Sequence, residues 1–301
     1  VLEVASNEES HDRVVELWRQ LQEEVALHAE TQKDEVDGLL EFLHYAYISI
    51  HGDVKRENLY DEIVDLFERG EHSALSYTQE VLAESKALTT LVHNTQSWVS
   101  GGAKYYDVVS SIFNLGYAIP AYLAALERWK DDREKFQKSA KVIHDFCFRF
   151  KLVGGQSVSR LSAVIGKASR VIRDRNKLEG EFVNEFRNEG VNTDPLFIEQ
   201  LSSVSFKTNK IGFYAFEAIE NFIAGESGLG VFTQSASQHL EHIFPKRPEV
   251  ADWSHLDLLK KDEFVYRLGN LVALEGNINR HIKNKSFDYK NRNDEDLDYQ
   301  S

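Results

Sequence analysis

The chain has 301 residues, 42% of them hydrophobic, and a formal net charge of −14. This length predicts one large or two ordinary globular domains, and the acidic balance excludes a protein that coats nucleic acid uniformly. No apolar run reaches the roughly 18 residues of a membrane span, and the acidic first residues argue against a signal peptide. One cysteine, Cys147, excludes an internal disulfide and a cysteine-rich zinc site, so we expect a cytoplasmic protein.

Charge is unevenly distributed along the chain. Residues 1–84 contain 21 acidic residues against 6 Lys or Arg, whereas residues 130–177 contain 13 Lys or Arg against 5 acidic residues. A third segment, 277–292, contains 5 Lys or Arg and a single acid, Asp288. Phosphate contacts need local positive potential, so the two basic segments are candidate DNA-binding surfaces. The alternative is a chance alternation of charge on helix surfaces.

Hydrophobic periodicity predicts helices through most of the first 225 residues. The predicted helices cover 7–31, 34–51, 55–69, 73–98, 104–129, 131–152 and 156–178, with two more within 196–224. Ser100, Gly101 and Gly102 are predicted to break the pattern, and Pro120 to begin a new helix after a break. Histidines are scattered along the first helices, and none pairs with a carboxylate at ligand spacing. We therefore predict structural roles for His28, His44, His51, His72 and His93.

The predicted helix over 156–178 has two distinct faces. Its apolar face carries Leu161, Val164, Ile165, Ala168 and Ile172. The opposite face is a basic stripe formed by Arg160, Lys167, Arg170 and Arg173. This stripe is a candidate surface for the DNA backbone. It is equally suited to packing against the acidic N-terminal helices.

Chemistry-bearing residues are concentrated between His239 and Lys290. Glu241 and His242 are followed by Pro245, then by Asn270, and nine residues later by Asn279. An acid–histidine pair followed by two asparagines in this order is typical of a ββα-metal, or HNH, nuclease. Histidine titrates near neutral pH and suits a general base, while carboxylate and amide oxygens suit Mg²⁺.

The segments EHIFPK and LGNLVALEGNINRHIKNKSF resemble the C-terminal HNH domain of the GmrSD-type modification-dependent (type IV) restriction endonucleases, a group that includes SspE-like phage-defence proteins. The resemblance implies that Glu241 binds the metal, that His242 is the general base and that Asn279 is the second protein ligand. It assigns to Asn270 the task of holding the hairpin that orients His242. The implied metal is Mg²⁺, or Mn²⁺.

Basic residues after Asn279 are expected to contact phosphate: Arg280, Lys283 and Lys285. His281 stands where the last histidine of the HNH pattern falls, a position that varies in the family, and His239 is read as structural. Many HNH nucleases hold a zinc ion with cysteines around the hairpin. Because LVALEGNINRHIK contains no cysteine, no structural zinc is expected here.

These patterns predict a mainly α fold, with a helical domain over 1–225 and a small α+β HNH module over 226–301. The helical region resembles, more weakly, the helical part of the family's nucleotide-sensing half. That half normally carries an Asp-Gly-Gln-Gln-Arg motif, and the sequence contains neither this motif nor a P-loop. Nucleotide hydrolysis is therefore expected from a missing N-terminal half or from a partner subunit.

The predicted function is that of a metal-dependent DNA endonuclease or nickase acting on foreign or modified DNA in prokaryotic restriction and phage defence. Two alternatives stay open. One is an RNA nuclease or toxin with the same site. The other is a helical module that docks a partner protein and carries an inactive HNH site.

Overall fold

The computed structural model describes residues 1, 11–27, 32–93, 99–189, 193–227, 238–256, 258–275, 279–280, 282 and 284–291. The chain forms two compact units, Val1–Thr193 and Asp194–Ser301. The division between the two units falls at 193/194, before the domain boundary predicted at 225/226. That domain boundary stays a prediction. The reason for the earlier division is that the helix over 209–227 packs on the strands that follow it.

All regular secondary structure described in the first unit is helical, as predicted. Its helices are α1 (His11–Ala26), α2 (Gln32–His51), α3 (Leu59–Glu68), α4 (Ala74–His93), α5 (Ser100–Asp107), α6 (Ile119–Arg128), α7 (Arg133–Cys147), α8 (Val158–Arg173) and α9 (Phe182–Arg187). Among the helices that the structure describes, none is both long and apolar enough to cross a lipid bilayer.

The segment between α5 and α6 contains the break predicted before Pro120. A π-helical turn, Val108–Ile112, follows α5, and Asn114 then adopts a left-handed φ of 55°. Helix α6 begins at Ile119 with Pro120 in its first turn, where the missing N–H costs nothing. The break predicted at 100–102 is wrong, because these residues open α5.

Gly102 explains why that break is absent. A Cβ atom at this position would lie 2.3 Å from the Phe136 ring, so the glycine is needed for close helix packing and not for a turn.

The core of the first unit surrounds α6. Every residue from Pro120 to Leu126 is buried, and the helix packs against α2, α4, α7 and α8. A helix that is apolar on all sides must lie inside the protein, because none of its faces is suited to water. The apolar face predicted for α8 is confirmed, since Leu161, Val164, Ile165, Ala168 and Ile172 are all buried.

The second unit combines helices with a strand pair. Its elements are α10 (Asp194–Ser203), α11 (Asn209–Ser227), β1 (Gln238–His242), α12 (Lys261–Phe264), β2 (Leu271–Glu275) and α13 (Phe287–Lys290). The two strands are antiparallel, with His242 opposite Leu271 and Leu240 opposite Ala273. This arrangement confirms the small α+β module.

Small apolar clusters hold the second unit together. Phe213 of α11 packs on Leu240 and Leu271, one from each strand. A second cluster joins Phe244, Trp253 and Val265, and a third joins Leu274 to Ile282. Phe287, at the start of the short helix α13, lies outside these clusters with its side chain 45% exposed.

A matched pair of glycines tests the close packing of α8. A Cβ atom at Gly166 would lie 2.6 Å from the backbone nitrogen of Asp53, whereas a Cβ atom at Gly38 in α2 would meet nothing within 4 Å. We expect Gly166→Ala to destabilise the first unit by about 1–3 kcal/mol through overpacking. Gly38→Ala should stabilise it by up to about 1 kcal/mol through helix propensity. Urea unfolding of both variants measures the two effects, and equal effects would contradict the packing.

Candidate active site

His242 is the last residue of β1 and is only 7% exposed. Its Nδ1 lies 2.7 Å from the backbone carbonyl oxygen of Val265. Because a carbonyl oxygen can only accept, the neutral ring must carry its proton on Nδ1 and its lone pair on Nε2. The ring also meets Tyr266 edge-on, with 5.5 Å between the ring centroids. Its tautomer and its orientation are therefore both fixed.

Burial lowers the pKa of His242 below the ordinary value of 6.5. The hydrogen bond to Val265 opposes this shift, and the positive charges of Lys246 and Lys290 add to it. The side chain is therefore uncharged at neutral pH, with a free proton-accepting nitrogen. This is the state that a general base requires.

Asn270 fastens the loop that follows His242. Its Oδ1 accepts a hydrogen bond from the Phe244 N–H at 2.7 Å, and its Nδ2 donates to the carbonyl oxygens of Phe244 at 2.9 Å and Val265 at 3.0 Å. Its own carbonyl accepts from the Ile243 N–H at 2.9 Å. The Val265 oxygen is thus shared by His242 and Asn270. Asn270 holds the acceptor that orients the histidine ring.

Glu241 lies beside Lys290. The Lys290 ammonium donates to Glu241 Oε1 at 2.7 Å and to the carbonyl oxygens of His242 at 2.9 Å and Ile243 at 3.1 Å. Lys290 is fully buried and Glu241 is 9% exposed, so both charges depend on this contact.

The asparagine and the cations predicted after the hairpin are only partly described. Asn279 is half-buried and, like the exposed Arg280, has helical backbone. Lys285 forms an exposed ion pair with Glu249, with 3.4 Å between Lys285 Nζ and Glu249 Oε2. His281 and Lys283 lie outside the described residues. His239 is exposed on β1, opposite Leu274.

The basic stripe of α8 is divided between internal and surface contacts. Arg173 is paired with Glu84 of α4 and also donates to Ser49 Oγ at 2.8 Å, while Arg160 pairs with Glu189 at 2.8 Å. The other two members line a surface cleft of about 370 Å³. Its lining is Lys167, Arg170, Val171, Asp174, Lys177 and Glu185. Packing against the acidic N-terminal helices therefore accounts for Arg173.

Reasoning from the sequence did not identify two groups of this site, the Val265 carbonyl and the Lys290 ammonium. The Val265 carbonyl carries no sequence signal, because every residue has one. Lys290 ends the motif-bearing stretch as its last basic residue, but its spacing to Glu241 follows no regular pattern. Trp253, from the spacer, donates from Nε1 to the Asn284 carbonyl oxygen at 3.2 Å.

Comparison with known proteins gives one family. Residues 192–300 match the family model of the GmrSD restriction endonucleases, C-terminal domain. This match confirms the predicted resemblance, and its span nearly coincides with the second compact unit, Asp194–Ser301. The second unit is therefore similar to the C-terminal domain of these restriction endonucleases. No curated protein matches the chain.

The Glu241–Lys290 pair gives a stability prediction. Replacing Lys290 by Met leaves a buried carboxylate unpaired and removes the donor to two carbonyl oxygens. We expect a loss of about 3–5 kcal/mol in the free energy of unfolding. The double variant Glu241→Gln/Lys290→Met should recover part of this loss, because no charge is then left buried. Urea unfolding followed by circular dichroism measures each variant.

Lys285→Met is the matched control for that experiment. Its ion pair with Glu249 is exposed, so the loss should be about 1 kcal/mol or less. Equal losses for the two lysine variants would show that Lys290 contributes no more than a surface charge.

Proposed function

We propose that the second unit is an HNH-type, divalent-metal-dependent endonuclease or nickase that hydrolyses phosphodiester bonds in foreign or modified DNA, as part of prokaryotic defence. The observation that carries this proposal is the state of His242. Its Nδ1 is committed to the Val265 carbonyl, and its lowered pKa leaves Nε2 free to take a proton. The relationship of residues 192–300 to restriction endonucleases supplies the substrate class.

In the proposed reaction His242 Nε2 takes a proton from the attacking water. The Val265 carbonyl stabilises the imidazolium that forms, because it keeps its hydrogen bond to Nδ1 throughout. Asn270 keeps that carbonyl in place through its amide. The resulting hydroxide attacks the phosphorus atom as the P–O bond to the leaving oxygen breaks, and the leaving oxygen takes a proton from solvent.

The metal is assigned to Glu241 and Asn279. Both offer hard oxygen donors, which suit Mg²⁺ or Mn²⁺. A divalent cation bound there would supply charge stabilisation on the scissile phosphate. The Lys290 ammonium competes with a cation for Glu241, and only two protein ligands are assigned. We therefore expect weak metal binding without DNA and tighter binding when a phosphate completes the coordination.

Cations near His242 are proposed to hold the DNA backbone. Lys246 is exposed, and its ammonium lies 5.4 Å from the centroid of the Tyr266 ring that contacts His242. Together with Arg280 and Lys285 it would add positive potential to the second unit. Arg160, Lys167 and Arg170 of the first unit's stripe are exposed, and Arg160 is paired with Glu189.

Substitution of His242 tests the assignment directly. We expect His242→Ala to lower plasmid nicking by roughly 10²–10⁴-fold, the usual cost of removing a general base. His239→Ala is the matched control on the same strand, and it should cleave like the wild-type protein because its side chain is exposed. Matched DNA and RNA substrates, plain and modified, separate a DNA nuclease from an RNA nuclease or toxin.

The pH profile of the same assay has a defined sign. The base must be neutral to act, and burial places its folded pKa below 6.5. Cleavage should therefore be retained as the pH falls to 6.5, and it should be lost only below that value. An acid limb centred at or above pH 6.5, or wild-type nicking by folded His242→Ala protein, would contradict the proposed base.

Metal dependence tests the two proposed ligands. We expect Asn279→Ala to lower turnover at limiting Mg²⁺ far more than it lowers DNA affinity, and raised Mn²⁺ should partly restore it. Glu241→Gln should behave in the same way. Cleavage titrated against metal is compared with DNA binding measured by fluorescence anisotropy. Full cleavage in EDTA would show that the chain uses a different mechanism.

A further inference from the structure

A second cluster of metal-binding side chains lies in the first unit. His51 ends α2, His72 lies in the turn between α3 and α4, and Glu80 lies on α4. Their candidate ligand atoms all fall within 4.8 Å of one another. His72 Nε2 is 3.7 Å from Glu80 Oε2. The structure thus corrects the expectation that no histidine of these helices meets a carboxylate.

Two atoms of the cluster are buried without a hydrogen-bond partner among the described residues. They are His51 Nε2 and Glu80 Oε2. A buried polar atom left unpaired costs about 1–3 kcal/mol, so folded proteins seldom retain one without a reason. A cation that contacts both atoms would remove this cost.

Neighbouring aromatic rings fix the direction of the two histidines. The centroid of the His51 ring lies 4.7 Å from the centroid of the Tyr47 ring. The His51 and His72 rings are nearly perpendicular, with their centroids 5.6 Å apart. The His72 ring meets the Tyr77 ring edge-on, with 6.0 Å between their centroids. The imidazoles therefore converge without closing a hydrogen bond between them. Such preorganisation lowers the entropy that a bound ion would otherwise lose in ordering its ligands.

The electrostatic state of the cluster also suits a cation. Neutral imidazoles and an ionised carboxylate are the forms that bind a metal ion. The nearby Arg173 is itself paired with Glu84, so much of its positive charge is already offset.

We propose that His51, His72 and Glu80 bind one divalent transition-metal ion of the Zn²⁺ class, at a site separate from the proposed nuclease site. Two imidazoles and one carboxylate are a ligand set that zinc accepts in tetrahedral geometry, with a fourth position left for water. Imidazole donors favour such ions over Mg²⁺.

One pair of ligand atoms already lies near the spacing that a bound ion imposes. Bonds of about 2.0–2.2 Å at a tetrahedral centre separate two ligand atoms by about 3.4 Å, close to the 3.7 Å already found between His72 and Glu80. The ion would join the end of α2 to α4 and to the turn before it. Its effect would be to stabilise the first unit.

The test uses the full chain, freed of metal with a chelator and titrated with Co²⁺ and then with Zn²⁺. We expect one equivalent of Co²⁺ to give the visible absorption of a four-coordinate ion, and Zn²⁺ to displace it. Zn²⁺ should also raise the Tm of the protein, whereas Mg²⁺ at the same concentration should not. Absence of stoichiometric Co²⁺ and Zn²⁺ binding by the wild-type chain would overturn the proposal without any variant.

Variants then locate the ion. Glu80→Gln and His51→Gln should weaken Zn²⁺ binding by at least about 10-fold, by removing a direct ligand. His93→Gln, an exposed histidine of α4 outside the cluster, should leave it unchanged. Glu241→Gln should keep the Co²⁺ spectrum, which separates this site from the proposed nuclease site. Loss of the spectrum in Glu241→Gln, or wild-type affinity in folded Glu80→Gln, would place the ion elsewhere.

Discussion

The backbone carbonyl of Val265 is the acceptor on which the geometry around His242 depends. It receives hydrogen bonds from His242 Nδ1 and from Asn270 Nδ2, so one oxygen ties the end of β1 to the segment that leads into β2. Val265 is 1% exposed and packs with Phe244 and Trp253. A small apolar cluster therefore determines where the oxygen points, and the oxygen determines which nitrogen of the histidine carries the proton.

Lys290 is a second constraint on the same hairpin. Its ammonium is fully buried and is satisfied by the Glu241 carboxylate and by the carbonyl oxygens of His242 and Ile243. A cation held among acceptors on consecutive residues fixes the backbone on both sides of the histidine. The same contact partly neutralises the carboxylate proposed as a metal ligand. Stability of the fold and affinity for metal therefore compete for one side chain.

In the first unit, a charged side chain joins helices to one another. Arg173 crosses from α8 to Glu84 on α4 and to Ser49 on α2, so a side chain that looks like part of a DNA-binding stripe instead joins three helices. Nearby, His51 and Glu80 bring buried polar atoms together without pairing them. The Arg173–Glu84 ion pair stabilises the packing by itself, although Arg173 Nε and Glu84 Oε2 make no hydrogen bond among the described residues. The cluster of imidazoles and carboxylate brings three possible metal ligands within 4.8 Å of one another, and for that reason we propose a bound ion.

Local patterns in the sequence determined most of the helices, the helix start at Pro120 and the buried face of α8. Each of these depends on spacings of a few residues, which backbone geometry converts directly into structure. Only the tertiary structure decided three long-range contacts. Val265 lies 23 residues from His242, Lys290 lies 49 residues from Glu241, and Arg173 lies 89 residues from Glu84. Contacts at such separations follow from how whole helices and strands pack, and no local periodicity encodes them. The meeting of His51, His72 and Glu80 was hidden for the same reason, because a turn and two helices had to be placed before the three side chains could converge.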